Sequence, residues 1–134
     1  MSVNNPYQAY QQNTVNTAPP GELTLMLYNG CLKFITAGKK AMETGDINAK
    51  NENLKKAQDI IQELMVTLNT DIPIATNMMQ MYDYIHRRLI EANVQSNVEY
   101  LEEAEGYVKE FRDTWKEVLK LAQQQKKPDQ GGLA

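Results

Sequence analysis

Residues 21–42 read GELTLMLYNGCLKFITAGKKAM, and this stretch is more apolar than a surface helix requires. At about 100° per residue, one sector of the helix collects the side chains expected to face a core, namely Leu23, Met26, Leu27, Gly30, Phe34, Gly38 and Ala41. Leu25, Tyr28 and Leu32 continue past that sector onto the side expected to face solvent. Because a surface helix normally has an apolar stripe of roughly 100°, the sequence predicts that something outside the bundle covers this surplus.

Length and composition indicate one cytosolic domain. The chain has 134 residues, 42% of them hydrophobic, and a formal net charge of -3. No basic stripe is available for phosphate, which argues against nucleic acid. One cysteine, Cys31, cannot form an internal disulfide, so a reducing compartment is expected. The N-terminus lacks a signal peptide pattern, and no apolar run is long enough to insert in a membrane.

Three further segments have the periodicity of amphipathic helices. The second helix follows Gly45, a predicted C-terminal cap, and Asp46, a predicted N-cap. The third is predicted to start at Asp71 as N-cap. The fourth is predicted to start at the capping box of residues 96–99 and to end near Ala122. With short connections, residues 21–122 are predicted to form an all-α, antiparallel up-down four-helix bundle, followed by a flexible tail at residues 123–134.

The third helix also has more apolar surface than one interface uses. Its core-facing row is predicted to be Met78, Met81, Tyr82, Ile85, Leu89 and Ala92. A second row, Met79, His86 and Ile90, lies to one side at spacings of seven and four. Two interpretations of His86 stay open: it occupies an ordinary position at the rim of the core, or it forms a small basic patch for a partner with Arg87 and Arg88.

Residues 1–20 carry no charged side chain. Asn5 and Pro6 suit the start of a short helix that puts Tyr7 and Tyr10 on one side. Such a helix is marginal in water, so it should be ordered only when docked. Two interpretations stay open: a disordered tail with incidental tyrosines, or a detachable plug for the surplus apolar surface that follows in the sequence.

The sequence offers no active site and no cofactor site. One histidine cannot supply the paired Glu-x-x-His motifs of a di-iron bundle, and neither a phosphate-binding loop nor a haem motif is present. Cys31 lies in the apolar part of the first helix. We therefore interpret it as a small buried side chain, which is a simpler interpretation than a reactive thiol. We therefore predict a binding protein with no catalytic residue, no metal and no cofactor.

Several motifs together resemble the flagellar export chaperones of the FliS family, especially those of Gram-positive bacilli. They are NPYQAYQQNTVNTAPPGELTLMLYNGCLKFI, IIQELMVTLN, YDYIHRRLIEAN and VKEFRDTWKEV, and they cover nearly the whole chain. The resemblance implies that Tyr7 and Tyr10, which occupy matched positions, are the tyrosines of the plug. The matched motifs of the first and third helices contain Leu25, Leu27, Tyr28, Leu32, Tyr82, Tyr84 and Ile85. Which of these contact a partner and which lie in the core is left open.

The resemblance implies a cytosolic chaperone, a monomer or weak homodimer, that binds the C-terminal segment of flagellin. Its action would prevent premature polymerisation and deliver flagellin to the type III export gate protein, with a flagellin-level regulatory protein as a further candidate partner. The candidate groove residues for flagellin or the plug are Tyr7, Tyr10, Leu25, Tyr28, Leu32, Met79, Tyr82, His86 and Ile90. The alternatives are a self-associating adaptor or signalling bundle without flagellin cargo, and an enzyme with an unrecognised site.

Overall fold

The computed structural model describes residues 21–133, with side chains described through Gln124. It contains four α-helices and no strand in that range: α1 (Glu22–Thr44), α2 (Ile47–Thr67), α3 (Ala75–Gln95) and α4 (Val98–Leu133). Each helix packs against its neighbours in sequence, and α4 packs against α1 to close the bundle. The predicted all-α four-helix bundle is therefore confirmed, whereas the predicted N-terminal segment lies outside the described residues.

The turn between α1 and α2 uses only two residues. Gly45 has a left-handed φ of 75° and its N–H donates to the Met42 carbonyl (3.3 Å), while the Asp46 N–H reaches back to Ala41 (2.9 Å). This pair of bonds is a Schellman motif, which needs a left-handed residue and favours glycine there. The Asp46 carboxylate then accepts from the Ala49 N–H at 3.0 Å and caps α2. Both predicted caps are confirmed.

The turn between α3 and α4 repeats this arrangement with a serine in the left-handed position. Ser96 has φ 49°, and the N–H groups of Ser96 and Asn97 donate to the Asn93 and Ala92 carbonyls. The Asn97 side chain accepts from the Tyr100 N–H at 3.0 Å. The N-cap of α4 is thus Asn97. The predicted capping box of residues 96–99, which has Ser96 as its N-cap, is wrong by one residue, because Ser96 ends α3.

The connection between α2 and α3 is longer, and the predicted start of α3 at Asp71 is also wrong. The Asp71 N–H donates to the side-chain oxygen of Asn69 (3.0 Å), so this part of the chain forms a turn instead of a first helical turn. A second turn joins the Ala75 N–H to the Ile72 carbonyl (3.0 Å). The helix begins at Ala75, beyond Pro73, and its N-cap residue makes no side-chain cap.

The fourth helix is longer than predicted, since it continues past Ala122 to Leu133 and spans 36 residues. Glutamine and lysine, which follow Ala122, are good helix formers, so a loss of apolar periodicity does not by itself end a helix. α1 has 23 residues. At about 1.5 Å per residue, α4 is therefore roughly 20 Å longer than α1.

The core shows what covers the apolar surplus of α1. Tyr28 and Leu32, predicted to face outward, are 1% and 7% exposed and belong to the core, while Leu25 is half-buried. The reason is that α1 packs against both α2 and α4, so two neighbours consume a wide apolar arc. Gly38 allows the close approach to α2, because a Cβ there would lie 2.5 Å from Leu54 Cδ2.

Lys50 links the two short turns at one end of the bundle. It is 5% exposed, and its ammonium donates to the Asn93 carbonyl (2.8 Å) and to the Ser96 hydroxyl oxygen (2.6 Å). A buried ammonium needs such partners to offset its loss of hydration. The lysine lies in the first turn of α2, so it ties the start of that helix to the end of α3.

Candidate functional site

The predicted site residue Tyr82 lies in the core together with Tyr28. Their hydroxyls share a hydrogen bond of 2.5 Å, and the Phe111 ring packs 5.9 Å from Tyr28 and 5.3 Å from Tyr82, measured between centroids. Burial raises the pKa of both phenols, so both stay protonated. Both side chains are buried, so Tyr28 does not face outward as expected, and the assignment of the two residues to a groove for flagellin or the plug stays a prediction.

The second predicted row of α3 does reach the surface. Met79 and His86 are half-buried, and Ile90 is 37% exposed. Val94, which the sequence reasoning did not include, extends the row by one turn and is 77% exposed. We refer to Met79, His86, Ile90 and Val94 as the α3 outer row. Its spacing of seven, four and four keeps all four side chains on one side of the helix.

A shallow pocket of about 340 Å³ adjoins the start of the α3 outer row. It is lined by Thr70, Ala75, Thr76, Met79, Gln80 and Asp83. Met79 belongs to both the pocket and the row, so the two form one continuous surface. Methionine side chains adapt readily to the shape of a bound partner.

The α3 outer row lies along the border between α2 and α3, because its member His86 is close to Asp59 of α2. Partial burial lowers the pKa of His86, and the nearby carboxylates of Asp83 and of Asp59 on α2 oppose that shift. Burial likewise raises the pKa of Asp59, with His86 among the groups that lower it. The charges beside the row are therefore partly compensated, and the row itself is mainly apolar.

A second pocket, of about 210 Å³, opens at the end of the bundle away from the short turns. We call it the end pocket. Its lining comes from all four helices and the α2–α3 connection: Thr24, Tyr28, Leu64, Thr67, Leu68, Asn69, Ile72, Met78, Tyr82 and Trp115. The Trp115 indole donates to the Gly21 carbonyl at 2.7 Å, which fixes the start of α1 beside the pocket wall.

The border between α3 and α4 carries an arginine and tyrosine cluster that the sequence reasoning missed. The Arg88 guanidinium lies 4.3 Å from the Tyr100 ring centroid and 5.3 Å from that of Tyr84. It donates to the Tyr84 hydroxyl (3.0 Å) and pairs with Glu103 (3.1 Å), and Tyr84 itself donates to Glu103 (2.7 Å). The bond to Tyr84 is the main cause of a raised Arg88 pKa. The i, i+4 spacing of Tyr84 and Arg88 was the available signal.

The cluster satisfies its own polar groups, so it fastens α3 to α4 and offers little to a ligand. Among the side chains that the structure describes, residues 21–124, there is no group of three or more His, Cys, Asp or Glu that could hold a metal ion. None of the helices in this range has the length and apolar content to span a membrane.

Comparison with known proteins assigns the family. The model described as "Flagellar protein FliS" matches residues 3–122. The chain belongs to the FliS family. Among curated FliS relatives, the flagellar secretion chaperone of Bacillus subtilis (strain 168) is 54% identical over 134 residues, covering all of both chains. That of Salmonella typhimurium is 34% identical over 114 residues, covering 83% of this chain and 84% of the relative.

A solved structure agrees with the FliS assignment at the level of the fold. The crystal structure of a flagellar chaperone from bacteria superposes with a TM-score of 0.71 at 23% identity, covering 86% of this chain and 95% of the other. The predicted resemblance to FliS of the Gram-positive type is confirmed. Because FliS is a family of chaperones, the prediction that this chain is not an enzyme is confirmed as well.

Proposed function

We propose that this FliS-family chain is a cytosolic chaperone that binds the C-terminal segment of flagellin. Binding would keep that segment from polymerising before export and would assist its delivery to the flagellar type III export apparatus. Membership of a family of flagellar secretion chaperones supports the general role. The observation that carries the finer proposal is the α3 outer row, which continues into a pocket of about 340 Å³.

The shape of this surface suits an amphipathic segment. A partner helix lays apolar side chains into a groove at spacings of three or four residues, and the α3 outer row offers contacts at matching intervals. A free segment with an exposed apolar side tends to self-associate. Covering that side on α3 would remove the contacts that lead to polymerisation.

The first test is complex formation with flagellin. Purified chaperone and full-length flagellin are mixed and separated by size-exclusion chromatography with light scattering. We expect a stoichiometric complex that disappears when the C-terminal segment of flagellin is deleted. If the two proteins elute separately, the proposed function fails. If the molar mass of the chaperone alone rises with its concentration and flagellin has no effect on it, a self-associating bundle replaces the proposed function.

The second test locates the binding surface. Ile90→Glu should weaken flagellin binding at least about tenfold, because the variant loses apolar contact with the partner and places an unpaired carboxylate in the interface. Ile47→Glu is the matched control, since Ile47 is 56% exposed and lies in the first turn of α2, outside the α3 outer row. Circular dichroism should show unchanged helix content for both. Equal binding by the two variants would remove the α3 outer row from the proposal.

We further propose the export gate protein as the second partner, with a flagellin-level regulatory protein as a third. Pull-down by the soluble part of the gate protein tests the second partner, comparing free and flagellin-loaded chaperone. We expect capture of the loaded form. A gate protein that captures neither form would contradict a delivery role while leaving flagellin binding intact.

A further inference from the structure

A groove follows the border between α3 and α4, on the side of the bundle where Tyr84 meets Tyr107. Its cavity of about 260 Å³ is lined by Met81 of α3 and by four residues of α4: Tyr107, Glu110, Phe111 and Thr114. Tyr107 and Phe111 also pack against the core, so the floor of the cavity is mainly apolar and held in place. We call this cavity and its continuation along α4 the α3–α4 groove.

The apolar surface of the α3–α4 groove continues along α4 beyond the cavity. Val118 and Leu121 are 43% and 53% exposed, and they follow Tyr107, Phe111 and Thr114 at spacings of four and three in alternation. This alternation keeps all of these side chains on one side of α4, and it is the spacing at which two helices pack side by side. At about 1.5 Å per residue, the row from Tyr107 to Leu121 is roughly 20 Å long, which suits about four turns of a second helix.

Acidic side chains border this row on α4. Glu110 and Glu117 are both exposed, and their spacing of seven residues places them on the same flank of the helix, about two turns apart. Neither carboxylate forms an ion pair with another side chain among residues 21–124. The lysines of this part of α4 are also exposed but lie on the opposite side of the helix, at positions Lys109, Lys116 and Lys120. The groove therefore has an apolar floor and an acidic rim.

We propose that the α3–α4 groove docks an amphipathic helix of a partner protein, with Lys or Arg side chains on the flank that faces Glu110 and Glu117. The apolar row supplies the contact area, and the two carboxylates select a basic helix over an acidic one. A second copy of this chain fits less well, because Glu117 borders the same row in both copies and like charges would meet across a two-fold axis.

This docking surface is separate from the one proposed for flagellin, although both use α3. Met81 lies in the α3–α4 groove, whereas Met79 and His86 belong to the α3 outer row, roughly 150° away around the helix. The two surfaces can therefore be occupied at the same time. The inference goes beyond the proposed function and does not depend on it.

The first test measures binding of two synthetic peptides to the full-length chain. Both peptides have about 20 residues, long enough to become helical on binding, and carry leucine at alternating spacings of three and four. The lysine peptide has lysine along one flank of the leucine row, and the glutamate peptide has glutamate there. Fluorescence anisotropy at low ionic strength, where charges are weakly screened, should show saturable binding of the lysine peptide and at least about tenfold weaker binding of the glutamate peptide. Equal affinities, or no binding of the lysine peptide, would overturn the proposal.

Charge reversal then locates the site. Replacing Glu110 and Glu117 together with lysine should weaken binding of the lysine peptide at least about fivefold and strengthen binding of the glutamate peptide. The control replaces Glu43 and Glu52 with lysine, because these exposed glutamates of the α1–α2 hairpin give the same change in net charge away from the groove. Equal losses in the two double variants would show attraction to the overall charge of the protein, and the docking site would be refuted.

Leu121→Gln tests the apolar part of the groove. Val66→Gln on α2 is the matched control, because Val66 is 76% exposed and lies outside the groove. Circular dichroism should show unchanged helix content for both variants, and only Leu121→Gln should bind the lysine peptide less well, by at least about threefold. Equal affinity of the two variants would contradict the proposal. A molar mass that rises with concentration for the wild type but not for Leu121→Gln would assign the groove to a second copy and overturn the basic partner.

The last measurement separates this proposal from the flagellin proposal. A peptide of the flagellin C-terminal segment is added to the full-length chain that already holds the labelled lysine peptide. We expect the lysine peptide to stay bound, because the two surfaces are on different sides of α3. Displacement of the lysine peptide would assign the groove to flagellin and overturn the basic partner. A chaperone that fails to bind flagellin would refute the proposed function, whereas the affinity for the lysine peptide would still decide the fate of this inference.

Discussion

Replacing Lys50 with methionine should destabilise the bundle, because the ammonium joins α2 to the α3–α4 turn. Methionine keeps an unbranched apolar side chain of similar length and removes the two hydrogen bonds to Asn93 and Ser96. Hydrogen bonds to charged groups contribute about 1.5–3 kcal/mol each. Part of that gain is offset by the loss of ammonium hydration on burial, so we expect a net loss of about 1–3 kcal/mol.

Thermal unfolding followed by circular dichroism measures this change. For a domain of this size a loss of 1 kcal/mol lowers Tm by roughly 3–5 °C, so Lys50→Met should unfold about 3–15 °C earlier. Urea unfolding should show a lower midpoint with an unchanged slope. A Tm equal to that of the wild type would mean that the cost of burying the ammonium cancels its hydrogen bonds, and the reasoning would fail.

Two substitutions of Ser96 refine the test. Ser96→Ala removes the acceptor and keeps a side chain at φ 49°, whereas Ser96→Gly also relieves the left-handed conformation, worth about 1–2 kcal/mol. We expect glycine to be more stable than alanine by about that amount. Combining Lys50→Met with Ser96→Ala should cost about 1 kcal/mol less than the sum of the single changes. Additive losses would show that the two side chains are not coupled.

Three further predictions concern single positions. Gly38→Ala should destabilise by about 1–3 kcal/mol in urea unfolding, because its Cβ would press on the fully buried Leu54; an unchanged midpoint would contradict the close packing of α1 on α2. Gly106→Ala should stabilise by about 0.5–1 kcal/mol, since the position is helical and a Cβ meets nothing within 4 Å among the described residues; a lower Tm would show an unrecognised contact. His86 has a pKa below its ordinary 6.5 in the fold, so the unfolded chain binds more protons and stability should fall as pH drops through about 6.5. His86→Gln should flatten that part of the pH profile, and an equal slope in both proteins would assign it to other groups.

The helices were predictable from the sequence because hydrophobic periodicity and turn residues agreed. Gly45 and Asp46 have strong preferences for their observed positions, and the structure places them there. At Ser96 and Asn97, both residues are common N-caps, so the preference alone could not decide between them. The choice depends on which residue ends α3 in the left-handed conformation. That requirement is seen only in the structure, where Ser96 ends α3 and Asn97 caps α4.

The candidate surface was only partly predictable. Met79, His86 and Ile90 do reach the surface of α3, and their role in binding flagellin stays a prediction. Tyr28 and Leu32 failed as surface residues because periodicity gives the width of an apolar arc and not the number of neighbouring helices that cover it. The hydrogen bond between the Tyr28 and Tyr82 hydroxyls joins residues that are far apart in sequence, and no local pattern could have revealed it.

The repeated turn chemistry has a consequence for how the molecule can be divided. Both α1–α2 and α3–α4 are joined by two residues that end one helix and cap the next, whereas the connection between the two pairs is a longer, exposed stretch. The bundle thus consists of two helical hairpins, each closed by its own turn, that share one core. Residues 70–73 are the natural place to cut the chain or to insert a foreign domain. Separately expressed halves would then reassemble through the same core, which would make a two-part reporter of assembly inside cells.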